Sequence, residues 1–268
     1  MTKKKKFFLV IFVVLSIILL CSFIFIFSIK MIQKYNFEKS FLNEAQMNTE
    51  TIFSVKNIVF FSGVDVKNRT SSVTNFTIEN LFQYTDMAIF IDNHINTNEN
   101  NLKNTLKALR IENINFTKLP ELGNVSLYYR NFSDFAKSSF SEDKKIEKDF
   151  SFLITADEQT TFEEPYLYNN CANPITLTFE NSNIKTDYTI TDTSLPITYD
   201  GTLLKRCNVL LSSISCAFSF DIIITNNLDQ EFKCTVFIDI PLEDTNSSIL
   251  DGKIITKKEL NSAFYRYK

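Results

Sequence analysis

The chain has 268 residues with 31 acidic and 28 basic side chains, one histidine and four glycines. A single histidine excludes a metal centre built from several imidazoles, and the scattered Gly63, Gly123, Gly201 and Gly252 exclude the clustered-glycine loops that cradle phosphates or turn sharply beneath a nucleophile. Five of the basic groups are lysines within the first thirty residues, so residues 31–268 carry 23 basic against 31 acidic groups, a net of −8 that argues against nucleic acid or an anionic lipid surface as a partner.

Residues 1–6 form a basic tail containing Lys3, Lys4, Lys5 and Lys6. From Phe7 to Ile29 every residue is Phe, Leu, Ile or Val except Ser16, Cys21, Ser22 and Ser28. As a helix this run is roughly 34 Å long, enough to cross a hydrocarbon core of about 30 Å. A cleaved secretion signal has a shorter apolar region, about 7 to 15 residues, and a small-x-small cleavage site. Ile26-Phe27-Ser28 lacks the small pair, and Leu20 stands before Cys21 where lipid attachment needs a small residue. Residues 7–29 are therefore expected to remain as a transmembrane signal-anchor. The lysines ahead of it keep the N-terminus cytoplasmic and place the rest of the chain outside, in a single-pass arrangement. Residues 30–51 carry helix formers and no Pro or Gly, as in a helical stalk continuing out of the membrane.

Beyond the stalk the sequence becomes a series of short Ile, Val, Phe, Thr and Tyr runs separated by Asn, Asp, Ser and Gly clusters. Strands are expected near "KNIVFFS", "VTNFTIEN", "DMAIFID", "LRIENINF", "VSLYYR" and "FSFLIT" in the first half. In the second half they are expected near "ITLTFEN", "KTDYTI", "LPITYD", "AFSFDIIIT", "EFKCTVFIDI" and "GKIIT". "NNLKNTLKALR" and "NFSDFAKSSF" read as short helices. The strongest local pattern is the hairpin "AFSFDIIITNNLDQEFKCTVFIDIPL". Phe218, Phe220, Ile222 and Ile224 alternate with polar residues on one arm, Phe232, Cys234, Val236, Ile238 and Ile240 on the other, and Pro241 ends the ladder.

Many strands and few helices predict an all-β ectodomain, an antiparallel β-sandwich. The charged stretches "SEDKKIEKD" and "ADEQTTFEEP" interrupt the pattern, so two lobes are expected, 52–160 and 166–268, the second of immunoglobulin-like size; one larger sandwich is the alternative. Cys171, Cys207, Cys216 and Cys234 lie on the displayed side, where either disulfides or buried thiols are possible.

Residue patterns for chemistry are sparse. His94, in "IDNHINTNENN", is the one imidazole, and its surroundings lack the spacing of an EF-hand loop. Ser141 to Lys144 fits Ser-x-x-Lys within a highly charged turn. The acidic neighbours Asp157-Glu158 and Glu163-Glu164 would point to opposite faces of a strand and so do not flank one sugar. Thr202-Leu203-Leu204-Lys205-Arg206-Cys207 resembles the Thr-Leu-x-Thr-Cys motif of the sortase transpeptidases, with one residue more and no Thr before the cysteine. That resemblance implies a cysteine nucleophile paired with His94 and with an arginine, the next after Cys207 being Arg266. Glycan or wall binding would use exposed aromatics, for which Tyr128, Tyr129, Tyr166 and Tyr168 are the candidates. A pilin-like subunit would need a leader ending in Gly and a Glu early in the apolar run, and the chain has neither.

The sequence thus predicts a membrane-anchored, extracytoplasmic β-sandwich that binds or scaffolds at the cell surface without enzymatic activity. Its expected partners are the lipid bilayer and an envelope protein or wall polymer, with no nucleic acid, no cofactor, no metal and no assigned catalytic residue. A cell-wall or glycan-binding domain is the alternative, and a sortase-like cysteine transpeptidase a further one.

Overall fold

The alternation in residues 217–240 is realised as a hairpin, in a computed structural model that describes residues 15–17, 19–36, 39, 53–67, 76–93, 106–130, 132–146, 152–155, 175–192, 194–226 and 228–267. Two units are present, Met1–Thr49 and Glu50–Tyr267.

In the first unit, helix α1 (Leu15–Asn36) is apolar and long enough to cross a membrane, and none of its most apolar stretch is buried by protein. Ser28 Oγ donates to the Ile24 carbonyl at 2.8 Å, satisfying the hydroxyl within the helix. Residues 30–36, at the start of the expected stalk, continue this helix; most of residues 37–51 lie outside the described residues.

The second unit is built of antiparallel strands: β1 (Phe53–Val66), β2 (Phe76–Ile78), β3 (Leu81–Asn93), β4 (Leu106–Lys118), β5 (Asn124–Arg130), β6 (Lys145–Ile146), β7 (Phe152–Thr155), β8 (Ile175–Lys185), β9 (Tyr188–Ile190), β10 (Ala217–Asn226), β11 (Glu231–Asp239), β12 (Ile254–Ala263) and β13 (Tyr265–Arg266). They form a six-stranded sheet ordered β12-β1-β3-β8-β5-β6, a five-stranded sheet ordered β13-β11-β10-β4-β7, and the small pair β2-β9. Two short helices, α2 (Thr202–Arg206) and α3 (Leu211–Ile214), lie between β9 and β10.

The inward residues of the two larger sheets share one core. Phe179 of β8 stacks on Phe218 of β10 with ring centroids 6.4 Å apart, and Phe53 of β1 meets Phe232 of β11 edge-on at 5.5 Å. Phe53, Phe179, Phe218 and Phe220 are each fully buried, and an aromatic pair of this kind contributes about 0.5–1.5 kcal/mol beyond its buried area. In the hairpin, Phe218 faces Ile238 and Ile222 faces Cys234, the register expected from the alternation. Its turn is held by Asn226 Oδ1, which accepts from the amides of Leu228 and Gln230 at 3.0 and 2.9 Å.

Five expectations need correction. Residues 52–160 and 166–268 do not build separate sheets: β8 pairs with β3 and β5, and β10 pairs with β4, across the expected boundary. The second half does not close an immunoglobulin-like lobe of its own, because β1 and β3 stand between β12 and β8. The helix read in "NNLKNTLKALR" gives way, from Leu106 on, to β4, where Leu109 and Ile111 alternate into the core against β10; pairing overrides local propensity. "NFSDFAKSSF" makes only a 3-10 turn, Phe132–Asp134, and "LPITYD" makes no strand, since Asp200 instead accepts from the Thr202 amide at 2.9 Å as α2 begins. The expected strands at "KTDYTI" and "VTNFTIEN" are present as the short pair β9 and β2.

Cys207, Cys216 and Cys234 are free and buried in the core, and Cys171 lies outside the described residues. Burial pushes the Cys207 thiol up to about 11 and those of Cys216 and Cys234 up to about 12. A chain with Cys21→Ser and Cys171→Ser is expected to take up no thiol reagent while folded and three equivalents after unfolding. Uptake by the folded chain would contradict the burial of these thiols.

Candidate functional site

The six-stranded sheet turns one face to the core and the other to the segment between β5 and β6. On that outer face β3 presents Phe82, Tyr84 and Asp86, β8 presents Thr178 and Glu180, and β5 presents Tyr128 and Arg130. Asp86 is fully buried and Arg130 nearly so. A carboxylate taken out of water must be paired and fully hydrogen-bonded to persist. Arg130 Nη1 donates to Asp86 Oδ1 at 3.0 Å, Thr178 Oγ1 donates to the same oxygen, and the Ala136 amide donates to Oδ2 at 2.6 Å. The guanidinium then reaches the covering segment, donating to the carbonyls of Lys137 at 2.9 Å and Asp134 at 2.6 Å. Ala136 has φ +67°, a left-handed conformation that costs a residue with a Cβ roughly 1–2 kcal/mol and is held here by its bond to Asp86.

Aromatic rings complete the attachment. Phe61, Phe82 and Tyr84 form a small apolar cluster separate from the main core, against which Phe135 and Phe140 of the cover pack. Phe140 stacks on Tyr128 at 5.3 Å, meets Phe82 edge-on at 5.8 Å, and has the Arg130 guanidinium 5.4 Å from its ring centre. Gly63 is small of necessity, because a Cβ there would stand 2.8 Å from the Tyr84 ring.

Beside this cover lies a cleft of about 490 Å³, lined among others by Asp65, Lys67, Phe82, Tyr128, Phe140 and Glu180. Tyr128 Oη donates to Glu180 Oε2 at 3.0 Å, and Ser138 Oγ to Asp65 Oδ2 at 2.7 Å. Burial raises the Glu180 pKa; the Tyr128 bond opposes the shift, the nearby Glu142 charge adds to it, and Lys145 and Lys67 oppose it. Burial likewise raises the Tyr128 hydroxyl, which stays a hydrogen-bond donor. A second hollow of about 340 Å³ lies on the other side of Tyr128 and Phe140, where Lys144 sits over the Tyr129 ring.

The outer face of the five-stranded sheet also carries charge, but its groups answer one another. Arg110 forks onto Glu231 at 2.6 and 3.1 Å and onto Glu112 at 2.5 Å. Asp221 is met by Lys233 at 2.7 Å, Thr235 at 2.6 Å and Asn113 at 2.7 Å. Burial draws the Asp221 carboxyl upward, yet these bonds and the Lys233 charge outweigh it and leave the pKa lowered. This is a strut across β4, β10 and β11 rather than an open site.

The residues singled out from sequence are dispersed. His94, Asp157, Glu158, Glu163, Glu164, Tyr166 and Tyr168 lie outside the described residues. Cys207 is fully buried at the end of α2, and its thiol is raised by desolvation, whereas a nucleophilic cysteine needs an accessible thiolate. Ser141 is exposed and donates to Asp143, and Arg266 lies in the short β13. Tyr128 is only 3% exposed rather than free at the surface, yet its hydroxyl sits at the cleft; Tyr129 is half-buried against the core. Among the described residues no group of three His, Cys, Asp or Glu side chains is placed to hold a metal. Asp65, Asp86, Arg130, Phe140 and Glu180 escaped the sequence reading. Their one signal was β3 itself, where apolar residues at Phe82 and Tyr84 fall on the face that alternation assigns to water.

The chain matches no family model, no curated protein and no solved structure.

Replacing Arg130 by Met is expected to destabilise the second unit by about 3–5 kcal/mol at pH 7, the usual cost of leaving a buried charge unpaired. Burial already raises the Asp86 pKa, so protonation of Asp86 favours the folded state at low pH and that contribution is lost as pH rises through the folded value. The penalty of Arg130→Met should accordingly shrink as pH falls from 7 toward 4, measured by urea unfolding. A pH-independent penalty would contradict the pairing.

Proposed function

We propose that this protein is a single-pass, N-terminally anchored β-sandwich that stands outside the cytoplasm and acts as a non-enzymatic binding or scaffolding module at the cell surface. The observation that carries the reading is the cleft of about 490 Å³ over the six-stranded sheet, walled by a cover that two buried charges hold in place. Its volume is that of a small-ligand site, and its lining is mostly polar, with Phe82, Tyr128 and Phe140 as aromatic walls. The anchor in this reading is α1, and the four lysines before it set the orientation. The displayed part, net −8, suits an envelope protein or wall polymer better than nucleic acid. The burial of Cys207 favours binding over a cysteine transpeptidase.

Two measurements on intact cells expressing the full chain test it. In a chain that also carries Cys21→Ser and Cys171→Ser, Lys257→Cys should react with a membrane-impermeant maleimide, and Thr2→Cys only after lysis; the reverse pattern would overturn the topology. A photo-crosslinking residue at position 67, on the rim of the cleft, should capture an envelope component that the same residue at position 257 does not. Equal capture at both positions, or none at either, would remove the cleft as the binding place.

A further inference from the structure

The lining of the cleft has mixed sign. Asp65, Glu142 and Glu180 bring three carboxylates, and Lys67 and Lys145 bring two ammonium groups. Lys145 stands 3.9 Å from Glu142, and both lysines bear on Glu180. A polyanion entering this space meets three carboxylates, and a polycation meets two lysines. A neutral ligand rich in hydroxyl or amide groups meets neither penalty, because each hydroxyl can donate to Asp65 or Glu180 and accept from Lys67, Lys145 or a serine.

The walls add apolar surface at the same place. Phe82, Tyr128 and Phe140 border the cleft, with the Tyr128 and Phe140 rings stacked. A sugar ring presents C–H groups and hydroxyls side by side, which is the combination such a lining meets. The polar groups are fixed beforehand: Tyr128 holds Glu180, Ser138 holds Asp65, and the Asn183 amide holds Asn80 Oδ1 at 2.9 Å. Fixing them before the ligand arrives reduces the ordering cost of binding. An extended peptide is disfavoured, since the strands beneath the cleft are already paired, β3 with β8 and β8 with β5, and offer no open backbone to join.

We propose that the cleft binds a neutral saccharide, a short run of sugar units carrying hydroxyl or N-acetyl groups and no net charge. This rests on the reading of the cleft as the binding place given above.

The test uses the full chain in lipid nanodiscs and isothermal titration with neutral tetrasaccharides of glucose and of N-acetylglucosamine, alongside poly(glycerol phosphate) as an anionic comparator. At least one tetrasaccharide should bind and the polyanion should not. Glu180→Gln, which keeps shape and removes charge, should weaken that binding about tenfold or more, as expected for loss of a charge-assisted hydrogen bond. Lys67→Ala on the exposed rim should weaken it while leaving the circular dichroism spectrum unchanged, which separates loss of a contact from loss of fold. Binding of the polyanion alone, or saccharide binding indifferent to both substitutions, would overturn the proposal. Crosslinking from position 67 to a non-saccharide component would overturn the saccharide and keep the cleft; the lack of any ligand in either experiment would overturn both.

Discussion

A carboxylate that has no water must find its partners in the protein, and Asp86 finds them in three places: its neighbour strand through Thr178, the next strand through Arg130, and the covering segment through the Ala136 amide. Removing any one leaves a charge whose desolvation is uncompensated. The constraint therefore runs outward from the sheet. Arg130 is spent on Asp86 and on two carbonyls of the cover, so the segment between β5 and β6 has one place to lie. Phe135 and Phe140 then close over Phe61, Phe82 and Tyr84, and the space left beside Phe140 is the cleft.

Both sheets of this unit join strands far apart in the chain. Ser54 of β1 faces Ala263 of β12, Asp86 of β3 faces Thr178 of β8, and Ser219 of β10 faces Asn115 of β4. Such pairings must close long loops before any contact offsets the entropy, which places the topology among slow folders. The same interleaving ties the two sheets together: the Phe179–Phe218 stack joins two strands, β8 and β10, that each pair with a strand from the first half of the sequence.

Local signals in the sequence translated well where a residue's environment is set by its near neighbours. The 217–240 hairpin was legible because both arms alternate and Asn226 supplies the turn. The apolar helix was legible from composition alone. What is set by distant residues was not. Leu106–Arg110 favours helix in isolation and becomes strand because β10 and β7 flank it. The expected break near residue 160 gave no warning that β8 would insert between β3 and β5. For the site, Tyr128 was named for the wrong reason, as a free surface ring, while its hydroxyl serves a half-buried Glu180. Nothing in the sequence sets Asp86 apart, because sequence gives no sign of which solvent-side strand positions a later loop will cover.

The site requires the cover to be held as firmly as the sheet beneath it, and native-state hydrogen exchange at the Ala136 amide measures that directly. Since this amide donates to Asp86 Oδ2 at 2.6 Å, it should be protected to nearly the same free energy as the central strands β3 and β8. Exchange of Ala136 at the rate of an unstructured loop, with β3 and β8 protected, would show that the charges do not clamp the segment and that the cleft is not a fixed feature of the fold.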